Sequence, residues 1–143
     1  MMMLFVSIAT LTLTSCSKDP EDLILGEWST DNIKVTMNME GQQMGMDISK
    51  LVETITFNEG GAITIIGHEA EMTDMGGFEF SPETITMNGS WLIDESGNSM
   101  TIIIDDEPQA FNIVSLEKKE LKLSVSEEID VDFTVTIEAN FVK

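Results

Sequence analysis

The sequence predicts an all-β protein, an antiparallel up-and-down β-barrel with roughly nine or ten strand-like segments, preceded by one short helical turn. Three observations carry this prediction. Apolar and polar side chains alternate with a period of two along most of the chain, glycine-containing turns recur at short intervals, and no long stretch has helical periodicity. A chain of 143 residues fits one domain with one core. Closure of the sheet would remove the exposed edges that make long strands liable to aggregate.

The strand pattern begins at Trp28 and is clearest near the two ends of the chain. Residues 33–39 alternate strictly, and residues 129–141 are predicted to form one long strand that is apolar on a single face. Between them, strands at 52–58 and 62–67 flank a Gly60-Gly61 turn and predict a hairpin. Residues 68–77 are predicted to be a polar loop that contains His68, and Gly89 is expected to open or bend the next strand.

The residues before the first strand predict a short helix. Asp19 can cap a helix, Pro20 suits its first position, and Glu21 and Asp22 place negative charge in its first turn. Gly26 is expected to end this helical turn. The sequence therefore predicts a helical lead that gives way to the first strand at Trp28.

The N-terminal segment is predicted to be a leader. The apolar run from residue 3 to 14 is too short to span a bilayer and has the length of a signal-peptide core. It ends in Leu13-Thr14-Ser15-Cys16, which resembles a bacterial lipobox and implies acylation of Cys16. A short transmembrane anchor or an ordinary core cysteine are the alternatives. We expect a signal peptide at 1–15, a lipidated tether at 16–22 and the barrel domain at 23–143.

The leader implies an outer-membrane lipoprotein of the cell envelope. The polar stretch 17–22 resembles the acidic export signals of some surface lipoproteins, and it equally suits a solvated tether, so the orientation stays open. Cys16 is the single cysteine, which leaves no partner for a disulfide within the chain. We expect a monomer.

The charge of the chain narrows the classes of partner. Twenty-six acidic residues face seven basic ones, all of them lysine, and the formal net charge is -19. A chain so acidic repels nucleic acid and anionic lipid, so we expect no nucleic-acid partner and a membrane contact only through the lipid on Cys16. No motif in the chain indicates a cofactor.

Several short motifs, in order and spacing, resemble the bacterial lipocalin-like lipoproteins. They are Gly26-Glu27-Trp28, Ile55-Thr56-Phe57-Asn58-Glu59-Gly60-Gly61, Gly89-Ser90-Trp91, and Phe111-Asn112-Ile113-Val114-Ser115-Leu116 before Leu121-Lys122-Leu123. The resemblance implies a calycin-type barrel of about eight antiparallel strands in which Gly26 and Trp28 close one end. It implies no catalytic residue, so we expect the protein not to be an enzyme.

Three functions are compatible with the residues. The first is binding of a small apolar ligand inside the barrel, in a pocket lined by some of Met37, Met39, Met44, Met46, Ile55, Phe57, Phe133 and Val135. The second is a packed barrel that acts as an interaction module through its loops. The third is Cu(I) binding by the thioethers of Met37, Met39, Met44 and Met46. We expect no other metal site, because His68 has no second histidine beside it, and we expect Glu53 to share the inward face of its strand with Ile55.

Overall fold

The computed structural model describes residues 19–143, so the predicted signal peptide and Cys16 lie outside the described residues. One helix, α1 (Pro20–Ile24), precedes nine strands. The strands are β1 (Gly26–Met39), β2 (Gln42–Asp47), β3 (Val52–Phe57), β4 (Ala62–Met72), β5 (Phe78–Ile93), β6 (Ser99–Ile104), β7 (Glu107–Leu116), β8 (Glu120–Asp130) and β9 (Phe133–Val142). Within residues 19–143, no helix is both long and apolar enough to cross a membrane.

The strands close into a barrel. Each strand from β3 to β8 pairs antiparallel with the strand that follows it. Strand β1 pairs with β3 on one edge and with β9 on the other, which completes a ring of eight strands. The short β2 pairs with the outer half of β1, on the same edge as β3. The predicted eight-stranded up-and-down barrel with a short helical turn before it is confirmed.

One end of the barrel is plugged. Its largest fully buried side chains include Trp28, Phe57 and Ile24. The indole Nε1 of Trp28 donates a hydrogen bond of 2.7 Å to the carbonyl oxygen of Ile24, which ties α1 across this end. The Lys143 Nζ lies 4.7 Å from the centre of the Trp28 ring and donates to the Leu25 carbonyl at 2.6 Å. Helix, first strand and last residue therefore meet on one indole.

Gly26 turns the chain from α1 into β1. Its φ is +112°, a left-handed region that side chains rarely adopt, and a Cβ there would lie 3.1 Å from the Cε of Lys143. The second tryptophan, Trp91, packs edge-on against Phe57, with ring centres 5.5 Å apart. Its Nε1 donates to the Asn58 carbonyl at 3.2 Å.

The predicted loop at 68–77 is wrong. Strand β4 continues to Met72 and pairs with the start of β5, and the turn comprises only the residues between Met72 and Phe78. A bulge between His68 and Ala70 shifts the register by two residues, since residues 81–83 of β5 lie opposite Glu69. Because a bulge interrupts the alternation of faces, the sequence pattern stops there although the pairing goes on. Gly89 likewise lies inside β5 and does not open a new strand.

The single strand predicted at 129–141 is also wrong. Strand β8 ends at Asp130, β9 begins at Phe133, and the two form a tight hairpin. The Asp130 carboxylate accepts a hydrogen bond of 2.7 Å from the Val131 amide, which helps to turn the chain. The side chain of Val131 is 85% exposed, so its place in the apolar alternation was coincidental.

We expect Trp28→Phe to destabilise the barrel by about 2 kcal/mol, because the buried Ile24 carbonyl loses its donor and a void remains. Trp91→Phe is the matched control, since the bond it removes is longer and less buried. Guanidinium unfolding of both variants measures the difference. Equal losses for the two substitutions would contradict the role given to the Trp28 bond.

Candidate functional site

The barrel encloses an apolar cavity of about 450 Å³ between the plugged end and the opposite, open end. Nearly all strands of the ring contribute to its wall. The apolar residues that line it are Ile33, Ile48, Leu51, Val52, Ile55, Ile65, Ile102, Ile104, Pro108, Phe111, Leu123, Ile137, Ala139 and Phe141. A solid interior is therefore not what this chain builds.

The cavity opens beside the hairpin between β6 and β7. The three polar residues of the lining, Asp105, Glu107 and Gln109, come from this hairpin, and all three are exposed. The turn has two central residues, Asp105 and Asp106, with φ of +52° and +62°. A two-residue hairpin of this kind needs left-handed conformations at both positions, which asparagine and glycine adopt most readily. The short 3-10 turn Ser49–Leu51 also contributes to the lining, through Leu51.

Of the eight residues proposed for the pocket lining, Ile55 lies in the cavity wall. Phe57 is two residues deeper on β3 and belongs to the plugged end, where it packs on Trp91. Val135 and Phe133 lie farther out on β9 than the lining residues Ile137, Ala139 and Phe141. The alternation in the sequence identified the correct face of β9 but gave no measure of height along the barrel axis.

The four methionines lie on the β1–β2 hairpin. Met37 pairs directly with Met44, whereas Met46 pairs with Val35 and Met39 with Gln42. A separate concavity of about 300 Å³ is lined by Met37, Met39 and Met44 together with Glu40 and Gln42. Met39 and Met44 are more than half exposed. Three of the four methionines thus line a concavity that is separate from the cavity described above.

His68 lies on strand β4, where it joins three acceptors, and not in a loop. Its Nε2 is 2.8 Å from the Glu53 carboxylate, and its Nδ1 is 2.8 Å from the Ser81 carbonyl and 3.1 Å from that of Glu83. Carboxylate and carbonyl oxygens only accept, so both ring nitrogens must carry hydrogen. The hydrogen bond with Glu53 accordingly raises the pKa of His68 above its usual value.

Glu53 does not share the inward face of Ile55. A bulge between Val52 and Thr54 turns the Glu53 side chain outward, where it is half exposed and meets His68. The pair joins β3 to the point at which β4 and β5 extend beyond the ring. Among residues 19–143, no group of three or more histidine, cysteine or acidic side chains is placed to hold a metal ion.

The His68–Glu53 pair predicts that the stability of the fold depends on pH in a measurable way. The folded protein holds the His68 proton more tightly than the unfolded chain, so the pair stabilises the fold fully below the usual pKa of about 6.5. That contribution is lost as the pH rises through the raised pKa of the folded state. His68 is the only histidine, so its ring resonances can be followed by NMR without ambiguity.

We expect the His68 titration midpoint to lie above 6.5 in the parent and to move down in Glu53→Gln, because the first cause of the shift is the Glu53 hydrogen bond. Glu69→Gln, next to His68 on β4, serves as the control for the loss of one negative charge near the ring. A parent midpoint at or below 6.5 would refute the ion pair.

Fold and cavity together define a class of protein: an eight-stranded antiparallel barrel with one end plugged by a tryptophan and the other open to an apolar interior. The architecture implied by the sequence motifs is the one that the strand order confirms. No family model matches the chain, and no curated protein matches it.

Among solved structures, the chain is similar to a lipocalin-like protein from Bacteroides uniformis, with 15% identity over 85% of this chain and 98% of that one and a TM-score of 0.45. It is also similar to bovine odorant-binding protein in complex with a selenium-containing odorant, with 15% identity over 89% and 74% of the two chains and a TM-score of 0.45. A complex of bovine odorant-binding protein with undecanal gives 18% identity over 89% and 74% and a TM-score of 0.43.

Proposed function

We propose that the barrel binds a small apolar ligand in the 450 Å³ cavity and acts as a carrier or sensor without catalysis. The observation that supports this is the cavity itself, which is open at one end and walled by aliphatic and aromatic side chains. Its volume lies within the roughly 300–1,000 Å³ of known ligand pockets. Burial of apolar ligand surface there would contribute about 25 cal/mol per Å².

The wall offers little that would orient a ligand by hydrogen bonds. Below the mouth every lining side chain is apolar, from Ile65 and Ile55 to Phe141 at the bottom. Selection inside the barrel therefore depends on size and shape, and polar recognition is limited to the residues of the mouth. Native mass spectrometry of protein taken from its own envelope would identify the ligand by a co-purifying mass.

Two alternatives stand behind this proposal. An interaction module with a packed interior is disfavoured by the cavity, although it would leave the hairpin tips free for a partner. Cu(I) binding by the β1–β2 methionines stays a prediction. An anaerobic Cu(I) titration against a variant with Met37, Met39, Met44 and Met46 changed to leucine would test it, and equal uptake by both proteins would end it.

We expect Ala139→Phe to weaken binding of dodecanol at least about tenfold, because the new ring would fill the cavity that Ala139 lines. Isothermal titration calorimetry measures the affinity. Ala110→Phe on β7 is the matched control, since Ala110 is exposed and outside the lining. Unchanged dodecanol affinity in a correctly folded Ala139→Phe would place the ligand elsewhere.

The proposal includes an anchor: Cys16 is acylated and holds the protein at the outer membrane of the cell envelope. The lipobox-like end of the apolar run supports it. Because α1 lies across the plugged end, a tether that precedes Pro20 would join the barrel on that side. The open mouth would then face away from the anchored surface.

We expect Cys16→Ala to move the protein from the membrane fraction to the soluble fraction, because more than one acyl chain is what makes anchoring stable. Cell fractionation with immunodetection of both forms measures the change. Ser15→Ala is the control, since it keeps a small residue before the cysteine. Continued membrane retention of Cys16→Ala would contradict the anchor.

A further inference from the structure

The carboxylates at the cavity mouth have no basic counterpart. Asp105 and Glu107 line the cavity, and no lysine, arginine or histidine does. Lys34, Lys50 and Lys122 each adjoin a lining residue in sequence, but none of the three lines the cavity. A ligand head at the mouth therefore meets negative charge only.

Three of the six lysines of residues 19–143 lie together at the other end, while Lys34 lies on β1 and Lys50 in the Ser49–Leu51 turn. Lys118, Lys119 and Lys143 surround a concavity beside α1, on the plugged side of the barrel. Lys122 pairs with Glu120 at 3.1 Å. Three lysines thus lie on the plugged side, and the charged residues in the cavity lining, Asp105 and Glu107, are both acidic.

The conformation of the turn between β6 and β7 does not by itself explain the carboxylate of Asp105 at the cavity mouth. Both central residues, Asp105 and Asp106, are left-handed, where asparagine or glycine would fit with less strain. A carboxylate at Asp105 is not required by the turn. Because Asp105 lines the cavity, its carboxylate can contact a bound ligand, which is a role that the turn conformation does not supply.

We propose that the cavity takes a linear amphiphile with a cationic head, its aliphatic chain among the apolar wall and its ammonium group between Asp105 and Glu107. This inference rests on the proposed function of the cavity and adds the class of ligand. A fatty carboxylate of the same length would bring a third negative charge to the mouth, and so would bind more weakly than the cation.

Three ligands with the same alkyl chain and different head groups separate the contribution of the head group to affinity from that of the chain. Isothermal titration calorimetry at low ionic strength, below the micellar range, would compare dodecyltrimethylammonium, dodecanol and dodecanoate. We expect the cation to bind about tenfold or more tighter than the carboxylate, with the alcohol between them. The gap should narrow in about 0.5 M salt, because exposed charges are screened.

Variants assign the preference to the mouth. Asp105→Asn combined with Glu107→Gln should bring the cation and the carboxylate within about threefold of each other, with the dodecanol affinity of the same variant measured as the reference for the alkyl chain. Asparagine suits the left-handed turn, so the fold should persist, and thermal unfolding checks this. Asp106→Asn, compared with Asp105→Asn alone, is the matched control: each removes one negative charge from the same turn, but Asp106 does not line the cavity.

The outcomes are distinguishable. If the parent binds all three ligands equally, or prefers dodecanoate, the inference is overturned while the cavity remains a binding site. The same holds if Asp106→Asn lowers the preference as much as Asp105→Asn does. If dodecanol and both ions fail to bind, the proposed function fails together with the inference.

Discussion

The hydrogen bond from Trp28 to the Ile24 carbonyl is the contact on which the rest of the barrel depends. An up-and-down barrel has two open ends, and its interior becomes a pocket only when one of them is sealed. Here a single indole fills the sealed end, binds the helix that crosses it, and lies under the Lys143 ammonium. Helix α1 and Lys143 are thereby fixed to one another, close to the place where β1 and β9 close the ring.

The open end is shaped by strand length. Pairing of β1 with β3 extends over Gly26 to Ser29, while β1 goes on to Met39 with β9 on its other edge. The hairpins β1–β2, β4–β5 and β8–β9 consequently project beyond the complete ring. Bulges beside His68 and Glu53 lie where β4 leaves β3, and the one beside Glu53 changes which residues of β3 face inward. The cavity ends where the ring ceases to be continuous.

The capping residues Asp19 and Pro20 predicted the short helix, and the family resemblance implied the number of strands. The period-two pattern was sufficient to predict the barrel, because the barrel depends on which face of each strand is buried. It could not predict the pocket. Whether Ile55 or Val135 lines a cavity depends on height along the axis, and that height is set by register between strands far apart in sequence. Turns hidden inside an unbroken alternation, such as the one at Val131, were missed for the same reason: the polar and apolar order continued while the backbone reversed.

The distribution of apolar surface and charge can be understood together. Seven of the large apolar residues that are exposed within residues 19–143 lie on the three projecting hairpins: Met39, Met44, Met72, Met75, Phe78, Ile129 and Val131. Such a rim would ordinarily favour association between copies, as exposed apolar patches do. A net charge of -19 opposes close approach of like chains while leaving an uncharged or cationic molecule free to enter. The acidity of the chain therefore keeps an apolar entrance accessible, and it does so without any basic residue in the wall of the cavity that this entrance serves.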